Sequence, residues 1–177
     1  MKRILIPLCL VLGTHLADAQ RSYQFASPER LFVEGKELFI LKNYAGCMDK
    51  LEAYKHHATD ADWIQEADYM LAYAAFNQGL DTAGEQLEAY LETYPDSRHT
   101  DVVNYLMGSF LFGKGEYEEA LDWLRKTDVD LLAADEQEAY TFRLAYALLQ
   151  TGEREKAYAY FTRIQEIGDK YRDASAY

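Results

Sequence analysis

The chain has 177 residues, 49% hydrophobic and 27% charged, a globular mixture long enough for one sizeable core and incompatible with disorder throughout. Eighteen Lys and Arg against 30 Asp and Glu leave a net charge of -12, a field that repels phosphate backbones and anionic lipid, so no nucleic acid is expected as partner. Three Pro residues, with Ala, Leu, Glu and Tyr in place of Val and Ile runs, favour helix over sheet.

Residues 1–19, MKRILIPLCLVLGTHLADA, begin with Lys2 and Arg3, continue through an apolar run over 4–13, and end small-x-small at Ala17 and Ala19. That is the pattern of a cleavable export signal, cut between Ala19 and Gln20. The run is about ten residues against the roughly 20 that a bilayer core takes, so no integral span is expected in the mature chain. Cys9 follows Ile6-Pro7-Leu8 inside the run, where lipidation calls for a small residue before the cysteine. Processing would leave one thiol, Cys47, which cannot close an internal disulfide. Residues 20–27 read as a linker.

From residue 28 onward the chain repeats. Cys47, Ala83, Ala120 and Ala157 are separated by 36, 37 and 37 residues, and four places after each stands a large apolar residue: Leu51, Leu87, Leu124 and Phe161. A turn glycine returns in step at Gly79, Gly115 and Gly152, while the first unit has Lys42-Asn43-Tyr44 there. In the third unit Val103, Met107, Phe110 and Leu111 recur at helical spacing before Gly115, and Tyr117, Ala120, Leu121 and Leu124 recur after it. This predicts helix, tight turn, helix, with the small residue where the two axes approach.

Ser27-Pro28-Glu29 supplies a cap, a proline suited to the first turn and an acid to start the first helix. Thr59 and Asp60 can start the second unit, and Pro95 with Ser97 or Thr100 closes one unit and opens the next. The expected units are 28–58, 60–96, 100–130 and 133–169, with 170–177 as the start of a fifth. A last pair with no capping neighbour leaves an apolar flank, and self-association through that uncapped C-terminal repeat is a further expectation.

Catalytic chemistry finds little support. GSFLFGKG, 108–115, spaces Gly108, Gly113 and Lys114 like a phosphate loop, but Gly115 stands where a hydroxyl should bind magnesium and the stretch reads as helix. His56 and His57 are adjacent, so on a helix they diverge and cannot share a metal. Cys47 fills the slot that Ala fills elsewhere and reads as core. Glu116, Glu118 and Glu119 read as a solvated helix face, and Trp63 and Trp123 as packing residues. No catalytic, cofactor or metal site is expected, and the chain does not read as an enzyme.

The pattern NYLMGSFLFGKGEYEEALDWL resembles the tetratricopeptide repeat (TPR) family through Gly108, Leu111, Gly115, Tyr117, Ala120 and Leu124. The resemblance covers about 28–177 and is strongest in the third unit. Departures are Asn104 where the family often has an aromatic, Leu71 and Ala145 where it has glycine, and a period above the usual 34. The linker Tyr94-Pro95-Asp96-Ser97 is also similar to exported TPR proteins of bacterial cell envelopes, among them outer-membrane assembly lipoproteins and Tol-Pal coordinator proteins. The resemblance implies an all-α fold, a right-handed superhelical stack of about four TPR-like helix-turn-helix repeats (an α-solenoid). It also implies a non-catalytic scaffold for a protein or peptide partner, exported to the periplasm, with outer-membrane association a further expectation.

First helices line the concave side of such a stack. Spacing puts Tyr105, Ser109 and Phe112 on one stripe, and the repeat carries it to Phe32, Lys36 and Phe39, to Asp68, Ala72 and Ala75, and to Phe142, Tyr146 and Leu149. Phe32, Phe39, Tyr105, Phe112, Phe142 and Tyr146 of this stripe, together with Phe76 next to Ala75, are the expected partner-binding residues, and Lys36 is the stripe's one cation. The alternative reading is a module for a small ligand such as a glycan or peptide nutrient.

Overall fold

The computed structural model describes residues 27–174, so the export signal, the Ala19–Gln20 cut and most of the expected linker lie outside the described residues. Those residues form eight α-helices and one 3-10 turn, without a strand among them. The helices are α1 (Pro28–Ile40), α2 (Tyr44–Lys55), α3 (Ala61–Asn77), α4 (Ala83–Thr93), α5 (Thr100–Lys114), α6 (Tyr117–Leu124), α7 (Ala134–Gln150) and α8 (Arg154–Ala174), with the 3-10 turn at Val129–Leu131. This is an all-α chain of helix-turn-helix repeats, an α-solenoid. It divides into two compact units, one ending at Ala67 and the other starting at Asp68, within α3.

All four first helices end by the same hydrogen-bond pair. Lys42 N–H donates to Phe39 O and Asn43 N–H to Leu38 O; Gly79, Gly115 and Gly152 repeat the first bond, and Leu80, Glu116 and Glu153 the second. This satisfies carbonyls the helix end would otherwise leave bare, and it needs a left-handed residue between the helices. Gly115 has φ 82°, and Lys42 takes the same conformation at φ 56° despite its Cβ. The one unit without glycine thus keeps the turn and carries the strain.

In the first unit, α1 pairs with α2. Cys47 and Leu51 are fully buried, and a Cβ on Gly35 would lie 2.6 Å from Leu51 Cδ2, so the α1 backbone sits directly on the leucine. Glu34 accepts from Lys50 Nζ at 2.7 Å and from Arg30 Nε at 2.7 Å, which ties the pair along its solvent side.

The second unit pairs α5 with α6 and α7 with α8, and stacks α4 on α5 and α7 on both α5 and α6. Ala83, Leu87, Ala120, Leu124 and Ala157 are buried at their slots, and Phe161 is half-buried. A Cβ on Gly108 would lie 2.8 Å from Leu124 Cγ and 3.1 Å from Ala120 O. Two joints fix neighbouring pairs. In the first, Tyr94 donates to Asp68 at 2.8 Å, Tyr90 and Ser97 share a 2.6 Å hydroxyl bond, His99 N–H donates to Ser97 Oγ, and the His99 ring stacks on Tyr69 at 3.7 Å. Burial and the bond to Asp68 push the Tyr94 phenol up to about 12, so it stays a donor. In the second, Tyr140 donates to Leu124 O at 3.1 Å and Asp128 N–H to Asp101 at 2.7 Å. Helix α8 continues without a break through 170 to Ala174, where a new first helix was expected to open; 167–170 holds no proline to stop it.

Two substitutions test this packing by chemical denaturation. Gly108→Ala should destabilise by about 1–3 kcal/mol, overpacking against Leu124 outweighing Ala's better helix propensity. Lys42→Gly should stabilise by about 0.5–1 kcal/mol, since left-handed strain disappears while part of the gain returns as chain entropy.

Candidate partner-binding surface

Where α5, α6, α7 and α8 come together, five rings form one continuous cluster. Phe112, two residues before the end of α5, meets Tyr117 at the start of α6 at 5.5 Å and Tyr146 on α7 at 5.6 Å. Tyr117 and Tyr146 are 5.8 Å apart, closing a triangle of edge-to-face contacts that suits the ring quadrupoles. Phe142, one turn before Tyr146, stacks on it at 6.1 Å and reaches Phe161 of α8 at 6.4 Å. None of the five is fully buried, and Phe142 is exposed.

The tight turn makes the triangle possible. Its left-handed Gly115 brings the end of α5 against the start of α6, so residues five apart face each other across it.

Of the expected partner-binding residues, Phe112, Phe142 and Tyr146 are brought together here. Phe39 is half-buried against Tyr44 at 6.1 Å in the first unit, and Phe76 is half-buried near the end of α3. Phe32 and Tyr105 require correction, because both are buried. Phe32 stacks on Trp63 at 4.5 Å and packs on Tyr54 at 5.3 Å. Tyr105 lies against Tyr140 and accepts a 2.7 Å hydrogen bond from Arg143 Nη1. The following first helix covers both rings. Ser109, Ala72 and Ala75 of the same stripe are buried too. Tyr117 and Phe161 join the cluster without having been singled out; their signal was an aromatic just past the turn and one in the Leu slot.

The other motifs resolve simply. Residues 108–114 are helical, so the phosphate-loop spacing falls inside α5. His56 and His57 are exposed, and among the described residues no three His, Cys, Asp or Glu are grouped to hold a metal. Lys126 lies over the Trp123 ring at 3.7 Å. Cys47 is buried, and desolvation pushes its thiol up to about 11. No described helix is long and apolar enough to cross a membrane.

A family model described as YfiO, outer membrane lipoprotein, matches residues 25–114, and a tetratricopeptide repeat model matches residues 138–167. No curated protein is significantly similar to the chain.

Burial divides the stripe into residues that hold the fold and residues that can be spared. Tyr105→Ala should cost about 3–5 kcal/mol in denaturant, as a buried aromatic does, whereas Phe142→Ala should cost well under half of that.

Proposed function

The chain belongs to the YfiO family of outer membrane lipoproteins, whose model spans just over half of it, and on that premise we propose that it is a non-catalytic scaffold of the bacterial cell envelope. It binds a protein or peptide through the aromatic cluster of its third and fourth repeats. The carrying observation is the triangle of Phe112, Tyr117 and Tyr146, extended by an exposed Phe142. Aromatic rings held rigid by one another offer large contact area at little entropic cost, and Tyr hydroxyls give such a surface polar handles. The two family models matched, the export-signal pattern of residues 1–19 and the net charge of -12 support an exported, periplasmic protein whose partners are proteins rather than nucleic acid.

The test is crosslinking and co-purification from the envelope with the wild type, Phe112→Ala and Tyr146→Ala. The scaffold reading expects a stoichiometric protein partner whose capture falls about tenfold in either variant while helicity is kept. A protein recovered alone and stabilised against melting by oligosaccharides would favour the small-ligand module instead.

A further inference from the structure

The repeat sets each residue beside its counterparts, and one slot of α7 breaks the pattern. Arg143 stands one place after Phe142, where the two preceding units carry Tyr69 and Leu106 one place after Asp68 and Tyr105. Tyr69 and Leu106 are buried packing residues, whereas Arg143 puts a cation into the same slot and is half-buried there. A guanidinium drawn out of water ordinarily finds a carboxylate, as Arg30 does in Glu34 and Arg125 in Glu153. Arg143 does not. In a chain with 30 acidic residues it makes no ion pair among the described residues, only a 2.7 Å hydrogen bond from Nη1 to the Tyr105 oxygen, with its guanidinium carbon 5.6 Å from that ring's centroid.

The surroundings are rich in donors and short of acceptors. Burial raises the pKa of the Tyr105 phenol against the lowering influence of Arg143 and Ser109, so the ring keeps its proton while its oxygen accepts from Arg143. Ser109 Oγ, buried near that phenol, makes no hydrogen bond among the described residues. Glu136, the carboxylate that bears on Tyr105, is already engaged by the Tyr73 hydroxyl at 3.0 Å and by Ala133 N–H at 3.0 Å. With Nη1 committed to Tyr105, the guanidinium is held in orientation and its Nε–Nη2 edge keeps two parallel N–H groups, which match the two oxygens of a carboxylate. Arg143 is also one helical turn from Tyr146 on α7, so the cation stands beside the aromatic cluster.

We infer that Arg143 receives the carboxylate of an Asp or Glu side chain in the peptide that the aromatic cluster binds, with Tyr105 positioning the guanidinium. This rests on the scaffold reading above and adds to it the chemistry of the partner: an extended segment with an acidic residue two places from an aromatic one. In an extended chain such residues lie on one side about 7 Å apart, close to the roughly 5–6 Å that separates residues one turn apart on a helix. A phosphate dianion suits the site less, because this one cation stands against a net charge of -12.

The probes are acetyl-Gly-Phe-Gly-Glu-Gly-amide and the same peptide with Gln for Glu, titrated into the purified protein while NMR follows the Arg143 Nε–H and the ring signals. The Glu peptide should bind at least about fivefold tighter, shifting Arg143 together with Phe112 and Tyr146. Arg143→Gln should bring the two peptides level, Arg143→Lys should restore only part of the preference, and Tyr105→Phe should reduce it without changing the affinity of the Gln peptide. The ratio of the two affinities isolates the carboxylate, since a loosened fold would weaken both peptides alike. Equal binding of the two peptides to the wild type, with ring shifts, overturns the inference about Arg143 and leaves the aromatic scaffold standing. Absence of ring shifts with either peptide up to about 10 mM overturns both. A preference for acetyl-Gly-Phe-Gly with a free C-terminus over the Glu peptide, or an equal Arg143 shift from inorganic phosphate, contradicts the side-chain assignment.

Discussion

Two helices joined by a turn of two to five residues lie side by side, and they can touch closely only where one presents a small residue and the other a gap for a large one. Here that contact recurs: buried Cys47, Ala83, Ala120 and Ala157, each followed four places later by a large apolar residue. In the first and third units the facing helix contributes a glycine, Gly35 or Gly108, whose missing side chain is the space the leucine fills. The fourth carries Ala145 there, small and fully buried, and only the second, with Leu71, relies on the small residue of the second helix alone. The left-handed turn, the hydrogen bonds that close it and the aromatic triangle across Gly115 all follow from holding the two axes at that separation.

Stacking of pairs relies on different chemistry. Tyrosine hydroxyls and backbone carbonyls do much of the work at the joints: Tyr94 on Asp68, Tyr90 on Ser97, Tyr140 on Leu124 O, and Tyr73 of α3 reaching Glu136 of α7 at 3.0 Å. A buried hydroxyl left without a partner is costly, so these bonds select one register between neighbours over others that would bury similar apolar area. The Tyr94-Pro95-Asp96-Ser97 linker is thereby explained as a joint, its proline ending the helix and its tyrosine and serine aligning the next.

Much of this was legible because it is periodic. The small slots, turn glycines and helix types are local patterns repeated in register, and repetition filters chance. The partner-facing stripe was less legible. Helical spacing places Phe32, Tyr105 and Phe142 on one line, but whether a ring is exposed depends on the helix of the next unit, which periodicity within one helix does not describe. Tyr117 and Phe161 read as structural positions, one just past the turn and one in a core slot, so spacing alone did not assign them to the aromatic cluster. The His99–Tyr69 stack is long-range in origin and has no signature in spacing.

The most direct test of the central constraint is the stability of Ala83→Leu, Ala120→Leu and Ala157→Leu by denaturant unfolding, since Leu and Ala differ little in helix propensity and much in volume. The account predicts a loss of about 1–3 kcal/mol at every slot, with helical content preserved. Three variants as stable as the wild type would contradict it, for the helix pairs would then not depend on close approach at these positions.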